Sequence, residues 1–68
     1  MKLQYEQSTL FYRASTPNGY AVIFYMEDGD FKGQWFLQFF TNGGTCLYTD
    51  YFPCLKQAQE FEFKEIFL

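Results

Sequence analysis

Three turn signals constrain the fold of this chain more than any other feature. Thr16-Pro17-Asn18-Gly19, Asp28-Gly29 and Asn42-Gly43-Gly44 cut its first fifty residues into short runs. Proline presets the first turn position, glycine supplies a positive φ, and Asp-Gly is a preferred two-residue hairpin loop. The runs between them are rich in Phe, Tyr, Val, Ile and Thr, which suit pleated, half-buried backbone. The spacing predicts strands at about Gln4–Ala14, Tyr20–Glu27, Phe31–Thr41 and Thr45–Tyr51. Short connections make successive strands pair, giving the order 1-2-3-4.

After Pro53 the chain turns to helix formers, with Leu55, Ala58 and Phe61 in one narrow apolar stripe and the proline suited to the first helical turn. A helix continuing to about Ile66 is expected. The alternation of Phe61, Phe63 and Phe67 with Glu62 and Glu65 leaves a helix ending near Glu60 and a short further strand as the alternative. The expected fold is therefore α+β: a four-stranded antiparallel β-meander with one C-terminal helix packed on one face, residues 1–68 forming a single small domain.

The turns also imply a register. With Asp28-Gly29 as the loop, Met26 faces Phe31, Phe24 faces Gly33, Val22 faces Trp35 and Tyr20 faces Leu37. Cross-strand partners share a face, so Tyr20, Val22, Phe24, Met26, Phe31, Trp35, Leu37 and Phe39 are expected in the core. A three-residue loop at Pro17-Asn18-Gly19 adds Leu10, Tyr12 and Ala14. The opposite face then carries Phe11 and Arg13, Ala21, Ile23 and Tyr25, and Lys32, Gln34, Phe36, Gln38 and Phe40. In the fourth strand Leu47, Thr49 and Tyr51 are expected inward, because the other choice (Cys46, Tyr48, Phe52) also buries Asp50.

Aromatic load decides what such a face is for. Ten Phe, six Tyr and one Trp make a quarter of the chain, and each ring buries roughly 150–250 Å². One small core cannot hold them all, so some rings are expected at the surface or against a partner. Three functional accounts compete for the mixed face: binding another protein, pairing with a second copy as a homodimer, and stacking single-stranded nucleic acid with Arg13 and Lys32 on phosphates. A fourth makes the rings mere packing under the C-terminal segment. The net charge of −3 argues against a phosphate binder, which carries a basic patch.

Catalytic equipment is sparse. The absence of histidine removes the commonest general base, the Ser-His and Cys-His pairs and the commonest metal ligand. Cys46 and Cys54 alone cannot complete a four-ligand zinc site, and no phosphate-binding or dinucleotide glycine motif occurs. Glu27-Asp28-Gly29-Asp30 lacks the spacing of an EF-hand loop and reads as a solvated turn. No catalytic residue, metal or cofactor is expected. Met1-Lys2 is followed by Gln4, Glu6 and Gln7 rather than an apolar stretch, and the longest apolar run, Tyr20–Met26, is far short of the ~20 residues of a membrane span. These features lead us to expect no signal peptide, a soluble cytoplasmic chain and reduced thiols.

The expectation from sequence is a non-enzymatic protein-binding module. Its size and lack of catalytic groups suit a phage or mobile-element inhibitor that occupies a surface of a larger host or defence protein. The expected binding residues are Phe11, Arg13, Tyr25, Phe36, Gln38 and Phe40, with Glu27, Asp28 and Asp30 steering a basic partner.

Overall fold

The computed structural model describes residues 2–64 and 67. Five antiparallel strands form one sheet in the order β1-β2-β3-β4-β5: Glu6–Gln7, Tyr12–Thr16, Gly19–Tyr25, Trp35–Thr41 and Cys46–Phe52. A short helix, α1 (Leu55–Gln59), follows and lies against β4 and β5. The meander and the C-terminal helix are as the turn signals imply. The strand count is not, because the expected first strand is broken. A tight turn closed by Ser8 N–H to the Phe11 carbonyl (2.7 Å) separates β1 from β2, and β1 pairs only through Glu6–Arg13 and Gln7–Tyr12.

Two connections differ from expectation, each by an odd number of positions. Thr16 pairs with Gly19, so Pro17-Asn18 is a two-residue loop rather than a three-residue one. The Thr16 hydroxyl holds it, accepting from Gly19 N–H (3.1 Å) and donating to the Gly19 carbonyl (3.3 Å). Between β3 and β4, Asp28-Gly29 is a bend rather than the hairpin loop, and the hydrogen-bonded turns follow it, with Lys32 N–H to the Gly29 carbonyl (3.3 Å) and Gln34 N–H to the Phe31 carbonyl (3.0 Å). The hairpin is closed further out, by Met26 N–H to the Gln34 carbonyl and Gly33 N–H to the Met26 carbonyl, both 2.9 Å. Gly33 sits at φ +89°, a backbone conformation that side-chain-bearing residues avoid. A two-residue loop would instead have put this glycine inside a strand, where it weakens pairing.

Because one turn lies on each side of β3, the two odd shifts invert that strand alone. The cross-strand rows are Tyr12–Ile23–Leu37–Asp50, Arg13–Val22–Gln38–Thr49 and Ala14–Ala21–Phe39–Tyr48, with Phe24–Phe36–Tyr51 and Tyr25–Trp35–Phe52 beyond them. Tyr20, Val22 and Phe24 therefore point away from the core, and Ala21 and Ile23 point into it. In β5 the inward residues are Tyr48 and Phe52, not Leu47, Thr49 and Tyr51. Asp50 is not sacrificed by this choice: at the sheet edge it stays half-exposed, its Oδ2 accepting from the Tyr48 hydroxyl (3.1 Å) and its Oδ1 from Tyr51 N–H (2.8 Å). Burial first, then the hydrogen bond and negative charge of Asp50, push the Tyr48 phenol above its ordinary value.

The core contains Leu3, Ala14, Ala21, Ile23, Leu37, Phe39, Ala58 and Phe63. Its small residues make room for its rings. Phe39, fully buried, tilts against Phe63 (5.3 Å) and meets Phe67 edge-on (5.5 Å) over the alanines of β2 and β3. A side chain on Gly19 would collide with the Phe40 carbonyl and press on the Phe39 ring. The α1 stripe lands as its spacing implies, with Ala58 buried and Leu55 and Phe61 packed beside it. The helix stops at Gln59, however, and Lys2 and Glu62 form an antiparallel bridge, so the alternating reading of the tail holds there. Glu65 and Ile66, the far end of the expected longer helix, lie outside the described residues. No helix among the described residues is long and apolar enough to cross a membrane.

Candidate functional site

The sheet face away from α1 is left outside the core. Arg13, Tyr20, Val22, Phe24, Phe36, Gln38, Phe40, Thr49 and Tyr51 share it by register, and none of them belongs to the core cluster or packs against it. Arg13 and Thr49 are exposed, and the others are half-buried, largely by one another.

The rings form two groups separated by the Arg13–Val22–Gln38–Thr49 row. In one, Phe31 from the β3–β4 loop stacks on Tyr51 (3.8 Å, 8° between planes), and Tyr51 stacks on Phe36 (4.5 Å, 13°). Phe36 then meets Phe24 edge-to-face at 5.3 Å. In the other, Tyr20 stacks on Phe40 (5.4 Å), and the Arg13 guanidinium lies 4.5 Å from the centre of the Tyr20 ring. Cation–π contact of this kind orients the arginine and covers one ring face.

A depression of about 540 Å³ opens at one end of this face, lined by Leu10, Phe11, Val22, Phe24, Tyr25, Met26, Glu27 and Asp28. Leu10, at the tip of the β1–β2 turn, is 83% exposed. The β2–β3 ladder ends at Tyr12–Ile23. Beyond it Phe24 and Met26 direct their backbone groups at β4, with Met26 bonded to Gln34 and Gly33, and Tyr25 alone in this stretch faces the β2 side, without a partner among the described residues.

Of the residues singled out from sequence, the structure gathers Arg13, Phe36, Gln38 and Phe40 on the open face. Phe11, Glu27 and Asp28 line the depression, and Asp30 is exposed in the same loop. Tyr25 belongs to the other face, at its rim, where it packs on Trp35 at 5.2 Å and remains 46% exposed. Sequence reasoning missed Tyr20, Val22, Phe24, Phe31 and Tyr51. Matching of like residues was the available signal, since the observed register sets Tyr20 against Phe40, Phe24 against Phe36 and Ile23 against Leu37.

No group of three or more His, Cys, Asp or Glu among the described residues could hold a metal ion. Cys46 and Cys54 are free, exposed thiols. Cys54 caps α1 without a side-chain hydrogen bond, and the helix is only five residues long. Tyr5 is the one buried side-chain polar atom lacking a hydrogen-bond partner among the described residues, and burial pushes its phenol up to about 12. It packs against the core rather than lining the depression.

Compared with known proteins, the chain matches no family model, and neither a curated protein nor a solved structure is detectably similar to it.

Proposed function

We propose that this chain is a non-enzymatic protein-binding module whose open sheet face occupies a surface of a larger protein, in the manner of a phage or mobile-element inhibitor acting on a host or defence protein. The observation that carries the reading is two groups of aromatic side chains, flanking the Arg13–Val22–Gln38–Thr49 row, on a face that the chain's own helix does not cover. Rings together with arginine are enriched where proteins meet, and exposed apolar patches of this kind mark such surfaces.

The ring geometry separates this reading from nucleic-acid stacking. A base needs a free aromatic face. In the Phe31–Tyr51–Phe36 stack the middle ring has both faces covered, and Tyr20 is held between Phe40 and Arg13. Fewer ring faces are left for bases, and the mixture of rings with Val22 and Gln38 suits side chains of a protein partner. A homodimer through the same face is an alternative occupant.

Thr49→Arg tests the proposal without touching the core, because Thr49 is exposed on the open face at its β5 edge, between the two ring groups. In capture from lysate of the source organism, treated with nuclease, the wild-type chain is expected to hold a discrete protein that the variant loses. Equal capture by both would remove the open face from the binding account. A catch lost on nuclease treatment would transfer the face to nucleic acid.

A further inference from the structure

We infer that the depression beside Leu10 takes an extended, cationic segment of the partner protein, laid along the free edge of β3 with an apolar side chain in the groove and Lys or Arg against Glu27 and Asp28. This deepens the protein-binding reading and rests on it.

Three observations converge on that occupant. The first is charge. Among the lining residues Glu27 and Asp28 are the only ionised groups and no base is present, while the loop beyond adds Asp30 against a single Lys32. An apolar groove with an acidic rim selects a segment that combines apolar and basic residues, through attraction to the basic residues and repulsion of acidic ones.

The second is backbone. Tyr25, two residues past the last β2–β3 pair, turns its backbone groups away from β4 and has no partner there among the described residues, so it offers one donor and one acceptor to an added strand. The other long edge is unlike this one. At β5 the Asp50 carboxylate already satisfies Tyr51 N–H, which is how proteins blunt an edge against pairing.

The third is side-chain adaptability. Leu10 is the most exposed large apolar residue described, at 83%, and Met26 lines the same groove. A leucine standing in water gains by being covered, and methionine reshapes to fit what it contacts. The volume of about 540 Å³ falls within the range of roughly 300–1,000 Å³ that holds specific ligands.

The test is selection of a displayed library of random dodecapeptides on the folded, tagged chain, followed by titration of the enriched peptide, synthesised alone, into the isotope-labelled protein. The account expects enriched peptides with Lys or Arg beside an apolar residue. Their binding should shift the amides of Phe24–Met26 and the methyls of Leu10, Val22 and Met26. Leu10→Ser and the double variant Glu27→Gln with Asp28→Gln are each expected to weaken binding about 5-fold, the effect of rim contacts worth under about 1 kcal/mol apiece. N-methylation of the peptide should abolish binding at the one residue that pairs with Tyr25 and be tolerated at its two neighbours, the signature of strand addition.

No enrichment, enrichment of acidic peptides, or N-methylation tolerated at every position would each overturn the inference. Shifts confined to Tyr20, Phe36, Phe40 and Tyr51 would overturn it too, while leaving the open face as the binding surface. Peptides seated in the groove, combined with capture that Thr49→Arg does not alter, would keep the groove and discard the wider face.

Discussion

The two faces of this sheet are almost equally aromatic, yet they use their rings in opposite ways. On the helix side most ring pairs meet at steep angles, as with Phe61 and Phe63 at 81° and Phe39 and Phe67 at 71°, Tyr48 and Phe61 at 20° being the exception, and small residues in β2 and β3 make space for them. On the open side three pairs lie nearly parallel, at 8°, 13° and 22°, and Phe24 and Phe36 meet edge-on at 84°, in a single layer with no second layer described above it. Interlocking edges fill a volume, whereas stacks cover a surface. Hydrophobicity alone does not tell core from interface here. The size of the residue alternating with each ring does: β3 sends Gly19, Ala21 and Ile23 inward and Tyr20, Val22 and Phe24 outward.

Truncations of rings on the two faces should separate sharply. Phe39→Ala removes a fully buried ring and is expected to cost about 3–5 kcal/mol, a large share of the stability of a domain this small. Urea titration followed by circular dichroism should show the variant largely unfolded or close to it. Phe36→Ala, three residues earlier on the same strand, loses contacts with Tyr51 and Phe24 and is expected to cost about 1–3 kcal/mol, at roughly 0.5–1.5 for each aromatic pair. Equal losses for the two would make the open face a second core.

Tyr5 provides a smaller effect with a defined sign. Its hydroxyl is buried without a partner, so Tyr5→Phe should leave the midpoint of denaturation unchanged or raise it by about 1 kcal/mol of stability. Below pH 10 the phenol is neutral in both folded and unfolded chains, and nothing changes. Above it the unfolded chain ionises first, because burial holds the folded phenol near 12, and stability falls as pH rises through that window. The Phe variant should show a shallower decline, measured by denaturant midpoints between pH 9 and 11.5. The smallest effects belong to the exposed open-face side: Thr49→Arg and Leu10→Ser should change stability by no more than about 0.5 kcal/mol while altering binding.

Much of the architecture is legible in the residues. The turn signals mark the meander, and the Leu55–Ala58–Phe61 stripe marks the helix. What local chemistry does not specify is loop length, and a strand's facing depends on whether that length is odd or even. Asp28-Gly29 only bends the chain, and the second glycine at Gly33 lets the hairpin close around six residues, 27–32, instead of two. The errors at the two turns flanking β3 cancel for β2 and β4. That is why Arg13, Phe36, Gln38 and Phe40 fall on the expected face while Tyr25 does not, and why Tyr20, Val22 and Phe24 look like core. Edge position is equally invisible locally. Asp50 argues against facing inward only until β5 is known to be the last strand, where a carboxylate reaches solvent and caps a backbone donor.

Hydroxyl-radical footprinting of the aromatic rings, read by mass spectrometry at low protein concentration, tests the central claim that one face is covered by the chain itself and the other is left for a partner. Tyr20, Phe36, Phe40 and Tyr51 are expected to be modified several-fold faster than Phe39 and Phe63. Protection of both sets alike would contradict the account, since it would mean that the open face is not open.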